Sequence, residues 1–249
     1  QVAPAYATAA LPKYQPKQLQ PEKILSYEIG YKGILGKKLM LDAYYYFSKY
    51  TNFIGGVSVV VPTAAAGPGL PIESGVASAS TRLGYARPAN TEQEITVQGW
   101  AAQLDYSLPN RFTIGGNIAF NQLKGFTPSP ELQYAGFNTP EYRYNLSFGR
   151  RIAPGNDFGF NVNFRHQDAF LWQSSFVVPT NANLIPYQNT AVPKVNNIDA
   201  QVSYKLSSIK SIVKIGGSNI GGKPYIQAFG SPSVGSMYYV SITFDELLN

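Results

Sequence analysis

Apolar and polar residues alternate one by one along most of this chain. A period of two fixes the local conformation, because only a strand sends successive side chains to opposite faces. From Val195 to Leu206 one face carries Ile198, Ala200, Val202, Tyr204 and Leu206, and the other carries Asn197, Asp199, Gln201, Ser203 and Lys205. From Arg111 to Asn121 the apolar set is Phe112, Ile114, Gly116, Ile118 and Phe120. Between Glu141 and Gly149 it is Tyr142, Tyr144, Leu146 and Phe148, and between Phe158 and Gln167 it is Phe158, Phe160, Val162 and Phe164. Similar strands are predicted over Ile24–Gly33, Leu39–Tyr50 with an extension to Val61, Ile95–Leu108, Ile212–Ile220 and Met237–Phe244. The fold class is therefore all-β, with about nine antiparallel strands, each near the length of a tilted membrane strand.

The connections follow their own rhythm. Short turns around Leu35-Gly36-Lys37, Leu108-Pro109-Asn110, Ala153 to Asn156 and Ser207-Ser208 alternate with long loops over Pro62–Glu92, Lys124–Pro140, Gln173–Lys194 and Gly221–Val234. Outer-membrane barrels have short periplasmic turns and long extracellular loops. On that pattern the first strand runs inward from outside and the last ends in the periplasm, so the strand count is odd, whereas a single-chain bacterial barrel has an even one. Residues 1–22 are then expected to be the remnant of an extracellular loop, residues 23–245 barrel strands with long extracellular loops, and residues 246–249 a periplasmic tail. A soluble β-sandwich also alternates, but its strands are shorter and its links lack this regular rhythm.

Composition agrees with a partly lipid-covered surface. The 249 residues are 44% hydrophobic and only 14% charged, with 18 Tyr and 14 Phe. Clusters such as Tyr44, Tyr45, Tyr46, Phe47 and Tyr50, Tyr142 with Tyr144, and Tyr238 with Tyr239 suit the aromatic girdles at membrane interfaces. The longest apolar stretch, from Phe53 to Ala66, is broken by Gly55, Gly56, Ser58 and Pro62, so any membrane crossing must use strands. The net charge of +6 is scattered, with Lys37-Lys38 and Arg150-Arg151 the only adjacent basic pairs, which argues against a nucleic-acid partner. No cysteine occurs, which excludes disulfides and thiolate metal sites.

Two motifs tempt a chemical reading. Gly217-Ser218-Asn219-Ile220-Gly221-Gly222-Lys223 has the glycine and lysine spacing of a phosphate loop, but Pro224 stands where Ser or Thr should hold magnesium, and no helix is predicted to follow. The only histidine, His166, shares a face with Phe164 and Val162, away from where hydrolytic chemistry would work. No catalytic residue, metal site or cofactor is expected, and the chain is read as no enzyme.

Several segments together resemble the TonB-dependent receptors. Pro21-Glu22-Lys23 followed by Ser26-Tyr27-Glu28-Ile29-Gly30-Tyr31-Lys32-Gly33 is similar to one of that family's strands. Thr139-Pro140 leading into Tyr144-Asn145-Leu146-Ser147 is similar to another, and Val192-Pro193 with Asp199 to Lys205 to a third. Gly217-Ser218-Asn219-Ile220 with Lys223-Pro224-Tyr225 resembles the segment near the family's end, and Gly235 to Phe244 its last strand, in versions found in Bacteroidota. The family often stops at the terminal aromatic, whereas here residues 245–249 follow Phe244.

The resemblance implies a barrel of about 22 strands, of which this chain would supply the last nine, closed by a plug that carries the TonB box. The implied partners are that N-terminal plug, the remaining barrel strands, TonB acting through the plug, and the outer-membrane lipid and lipopolysaccharide around the wall. The implied function is energised uptake of a scarce nutrient by a ligand-gated receptor. The alternative is a barrel that serves as scaffold or docking subunit for an outer-membrane partner protein. Exposed aromatics and arginines on long loops are the expected ligand contacts: Arg82, Tyr85, Arg87, Phe170, Trp172, Tyr187 and Tyr225. The polar strand face, including Glu28, Asp42, Asp105, Arg143, Arg165, Asp199 and Lys205, is expected to face the lumen or plug.

Overall fold

A computed structural model describes residues 14–129, 135–172, 190–228 and 230–244. Thirteen strands follow in order: β1 (Lys23–Leu35), β2 (Leu39–Thr51), β3 (Ile54–Pro62), β4 (Arg82–Asn90), β5 (Ile95–Ser107), β6 (Phe112–Lys124), β7 (Tyr142–Arg150), β8 (Phe158–Gln167), β9 (Phe170–Trp172), β10 (Thr190–Val192), β11 (Val195–Leu206), β12 (Ser211–Ser218) and β13 (Met237–Phe244). Nine of them form one sheet in the order β1-β2-β5-β6-β7-β8-β11-β12-β13. Every neighbouring pair is antiparallel and chain order is kept, so the sheet is a meander. These nine are the strands that the alternation predicts.

Turn chemistry explains why one end of the sheet is trim. Between β1 and β2, Gly36 and Lys37 both have positive φ (55° and 60°), and the Lys38 N–H donates to the Leu35 carbonyl at 3.2 Å, a tight turn whose twist matches its strands. Between β5 and β6 the turn closes through the Leu108 N–H donating to the Phe112 carbonyl at 2.9 Å, with Asn110 and Arg111 left-handed. All long connections leave from the opposite end.

One connection is more ordered than expected. β2 does not run on to Val61: it stops at Thr51, where Asn52 turns at φ 55°. The chain then forms β3, which pairs with β4 inside the stretch read as a loop over Pro62–Glu92. The β-branched run Val57, Val59, Val60 and Val61 favours a strand, and it lies opposite Arg87, Tyr85, Gly84 and Leu83. Asn90 ties this hairpin to the segment before β1, its Nδ2 donating to the Gln20 carbonyl at 2.9 Å and its Oδ1 accepting from the Gln20 N–H at 2.7 Å. Residues 14–22 thus sit at the long-loop end, and residues 1–13 and 245–249 lie outside the described part.

The sheet has two unlike faces. On the apolar one, rows such as Leu41, Leu104, Gly116, Leu146, Phe164 and Ile198 run strand to strand. That face is not a core: Leu146 is 55% exposed, Ile215 54% and Val240 70%. Strands about 4.8 Å apart make a nine-stranded apolar face on the order of 1,000 Å², well beyond the few hundred Å² that a soluble monomer tolerates. No second sheet packs on it among the described residues, which removes the sandwich alternative.

Aromatic rings mark both ends of the apolar face. Trp100 stacks on Phe120 at 6.1 Å and Phe120 meets Tyr142 at 4.9 Å near the long loops. Near the short turns Phe112 stacks on Phe148 at 5.8 Å, Phe148 meets Phe160 at 5.5 Å, and the Arg150 guanidinium sits 5.2 Å from the Phe112 ring centre. The eight steps from Phe112 to Phe120 correspond to roughly 26 Å of strand. The expected girdle clusters divide by phase, however: Tyr45 and Phe47 lie on the apolar face, while Tyr44, Tyr46 and Tyr239 lie on the polar one. Alternation sends neighbouring rings to opposite faces, so consecutive tyrosines cannot all join one girdle.

Candidate functional site: the polar face and the loop docked on it

The polar face is organised by strand register. Lys32, Asp42, Gln103, Asn117, Asn145, Arg165 and Asn197 stand opposite one another on β1, β2, β5, β6, β7, β8 and β11. Lys32 donates to Asp42 Oδ2 at 2.8 Å, Gln103 Nε2 to Asp105 Oδ2 at 2.7 Å, and Asn145 Nδ2 to Asn117 Oδ1 at 2.8 Å. Lys32 is near the short-turn end of β1 and Asn197 near the long-loop end of β11, so this polar row climbs diagonally from one end of the sheet to the other.

Tyrosines bridge the same face over glycines. Tyr46 crosses Gly99 to donate to Asn121 Oδ1 at 2.9 Å, and a Cβ on Gly99 would fall 2.6 Å from the Tyr46 ring. Tyr239 crosses Gly216 to reach Gln201 Oε1 at 2.8 Å, and a Cβ there would fall 2.5 Å from its hydroxyl. Each glycine makes the space that lets a ring span to the second strand over.

At the upper end of the diagonal, strand and loop residues converge. Arg165 Nη2 donates to the Tyr225 hydroxyl at 2.8 Å. In the amide orientation that its partners require, Asn197 Oδ1 accepts from Arg165 Nη2 at 2.8 Å and from the Tyr225 hydroxyl at 3.0 Å, and its Nδ2 donates to Asn219 Oδ1 at 3.1 Å. Asp199 accepts from the Ser218 hydroxyl and from the Asn219 N–H, both at 2.8 Å. Asn197 and Asn219 are 2% and 1% exposed.

The remaining predicted contacts are spread over separate loops. Arg82 starts β4 and donates to the Val76 carbonyl at 2.7 Å, which braces the 3₁₀ turn Ile72–Ala77. Tyr85 and Arg87 are exposed on one face of the β3–β4 hairpin. Phe170 and Trp172 lie in β9, 6.4 Å apart and paired with Val192 and Thr190 of β10. Tyr187 falls outside the described residues. Of the predicted polar-face residues, Glu28 stands opposite Tyr46 and Arg143 opposite Ala119 and Gln167, and Lys205 stands opposite Ile212. The structure thus joins Tyr225 to Arg165 and, among the described residues, leaves the other predicted loop contacts apart from them.

His166 lies on the apolar face, stacked on Tyr144 at 4.6 Å. Its two ring nitrogens meet Asn196 Oδ1 at 2.6 Å and Asp168 Oδ1 at 3.0 Å. The glycine-rich Gly217–Lys223 stretch is a strand end and turn, with Asn219 at φ 51° and Tyr225 bridged to Val234 where a phosphate loop would need a helix.

The sequence model for "TonB dependent receptor-like, beta-barrel" matches residues 1–220. The chain belongs to that family. Solved structures agree on the fold. This TonB-dependent receptor barrel aligns with the FrpB iron transporter from Neisseria meningitidis at TM-score 0.59 and 12% identity, over 91% of this chain and 32% of that one. The siderophore receptor PirA from Acinetobacter baumannii gives 0.55 and 17%, over 90% and 32%, and the copper transporter OprC 0.57 and 13%, over 90% and 31%. The chain therefore spans about a third of the length of the receptors it matches. No curated protein matches.

Within this receptor barrel, Asn197, Ser218 and Asn219 join the site although sequence reasoning placed them only on a strand face or in a motif and did not mark them as site residues. A signal was available for Asn219: an asparagine two residues before the Gly221-Gly222 pair is a residue that tolerates φ > 0 and bonds its own backbone.

Proposed function

We propose that this chain is wall and loop of an outer-membrane receptor that takes up a scarce nutrient with energy supplied through TonB. The supporting observation is the contrast between the faces: a broad apolar face ringed by aromatics, backed by a continuous polar row that ends against a docked loop. On this reading the apolar face meets lipid and lipopolysaccharide, and the polar face lines a lumen filled by the plug. The long connections lie outside the cell, with Tyr85, Arg87, Phe170 and Trp172 available to ligand, and the short turns lie in the periplasm. The named relatives carry iron, siderophore or copper, which makes a metal complex the first nutrient class to try.

Cells lacking the gene are expected to grow poorly on one limiting nutrient and to recover when the intact gene is restored. Unchanged uptake of every nutrient tried, with a stoichiometric partner protein co-purifying, would favour the scaffold reading instead.

A further inference from the structure

The loop that follows β12 is held onto the polar face by hydrogen bonds centred on the buried Asn219. Asn219 reverses the chain with a left-handed backbone (φ 51°), and its Nδ2 donates to the Lys223 carbonyl at 3.2 Å. Gly222 lies so close to the Asn219 side chain that a Cβ there would overlap it. The Ser236 hydroxyl returns the far end of the loop to the Asn219 carbonyl at 2.5 Å. Between those ends, Tyr225 and Val234 exchange backbone hydrogen bonds of 3.1 and 2.8 Å. The Tyr225 hydroxyl then reaches down between Arg165 and Asn197.

We propose that residues 219–228 and 230–236 form a fixed shelf over the upper polar face, latched to β8 and β11 by Arg165, Asn197 and Tyr225, so that they are standing wall and not a moving gate. A gating segment belongs to the low-stability end of a structure, with few buried contacts and solvent-exposed bonds. Here the anchoring bonds instead gather on two buried side chains: Asn197 and Asn219 are 2% and 1% exposed, so lifting the loop breaks the hydrogen bonds that satisfy them. The latch also gives the Gly-Ser-Asn and Lys-Pro-Tyr segment a role: Asn219 makes the turn and Tyr225 makes the lock. The Arg165 Nη2 group is consequently committed to the loop.

Hydrogen exchange on the protein in native outer-membrane vesicles tests this without needing a nutrient, so its failure would leave the transport reading untouched. In the wild type the amides of Asn219, Ile220, Tyr225 and Val234 are expected to be protected. In Tyr225→Phe and Asn197→Ala they should exchange about tenfold faster or more, while the amide of Ile215 in β12 stays as it was. Heat-dependent electrophoretic mobility reports whether each variant has folded. If Asn197→Ala does not fold, Arg165→Lys, which keeps the charge and loses the planar fork, makes the same comparison. Unprotected loop amides in the wild type, or unchanged protection in the folded variants, would overturn the proposal.

Discussion

Gly99 and Gly216 show how much of this sheet depends on side chains that are absent. Replacing Gly99 by Ala places a methyl group 2.5 Å from the Phe120 carbonyl oxygen and 2.6 Å from the Tyr46 ring, so the ring must leave Asn121. We expect a loss of about 1–3 kcal/mol in urea unfolding from lipid bilayers. Gly84→Ala, where nothing lies within 4 Å, should be neutral. Arg82→Ala removes the donor that braces the Ile72–Ala77 turn. Limited proteolysis should then cut residues 63–81 faster while the nine-stranded sheet remains intact. Little of this residue scale was legible in the sequence. Phase placed Arg165 and Asp199 on the polar face of the sheet, but a hydrogen-bond partner that arrives from a loop, as Tyr225 does for Arg165, leaves no periodic trace. Arg82 looked like a free loop cation for the same reason.

Individual strands were far more legible, because a face exposed to one medium along its whole length must repeat every second residue. β6, β7, β8 and β11 all follow that rule. β4 escaped because Gly84 and Pro88 interrupt it, and because hairpin pairing beyond the sheet needs no two-faced pattern. The same logic sets the asymmetry of substitution. Leu146→Arg, at the middle of the apolar face of β7, should cost about 2–4 kcal/mol in folding into bilayers. Asn145→Arg, one residue away on the polar face, should cost much less. Equal penalties at the two positions would mean that the faces are not in different media.

At the scale of the whole molecule, β1 and β13 stand at the sheet's two edges with no outer partner among the described residues. Unpaired backbone N–H and C=O groups cost several kcal/mol each in hydrocarbon. Residues 1–249 made alone are therefore expected to fail to enter bilayers as a monomer, which would show as an absence of heat-dependent electrophoretic mobility. Sequence reading reached the nine strands of the main sheet and the alternation of short and long links, since both are written in turn residues and spacing.

The rings at both ends of the apolar face also make the protein a gauge of its surroundings. The register of the strands fixes their tilt, so the distance between the Phe112 and Phe120 ends cannot stretch or shorten to suit a different membrane. A bilayer thicker than that interval has to thin around the wall, and a thinner one has to swell, at a fraction of a kcal/mol per Å. Summed around the circumference, that mismatch would favour whichever membrane of the cell already has the matching depth, and would draw thickness-mismatched copies together elsewhere.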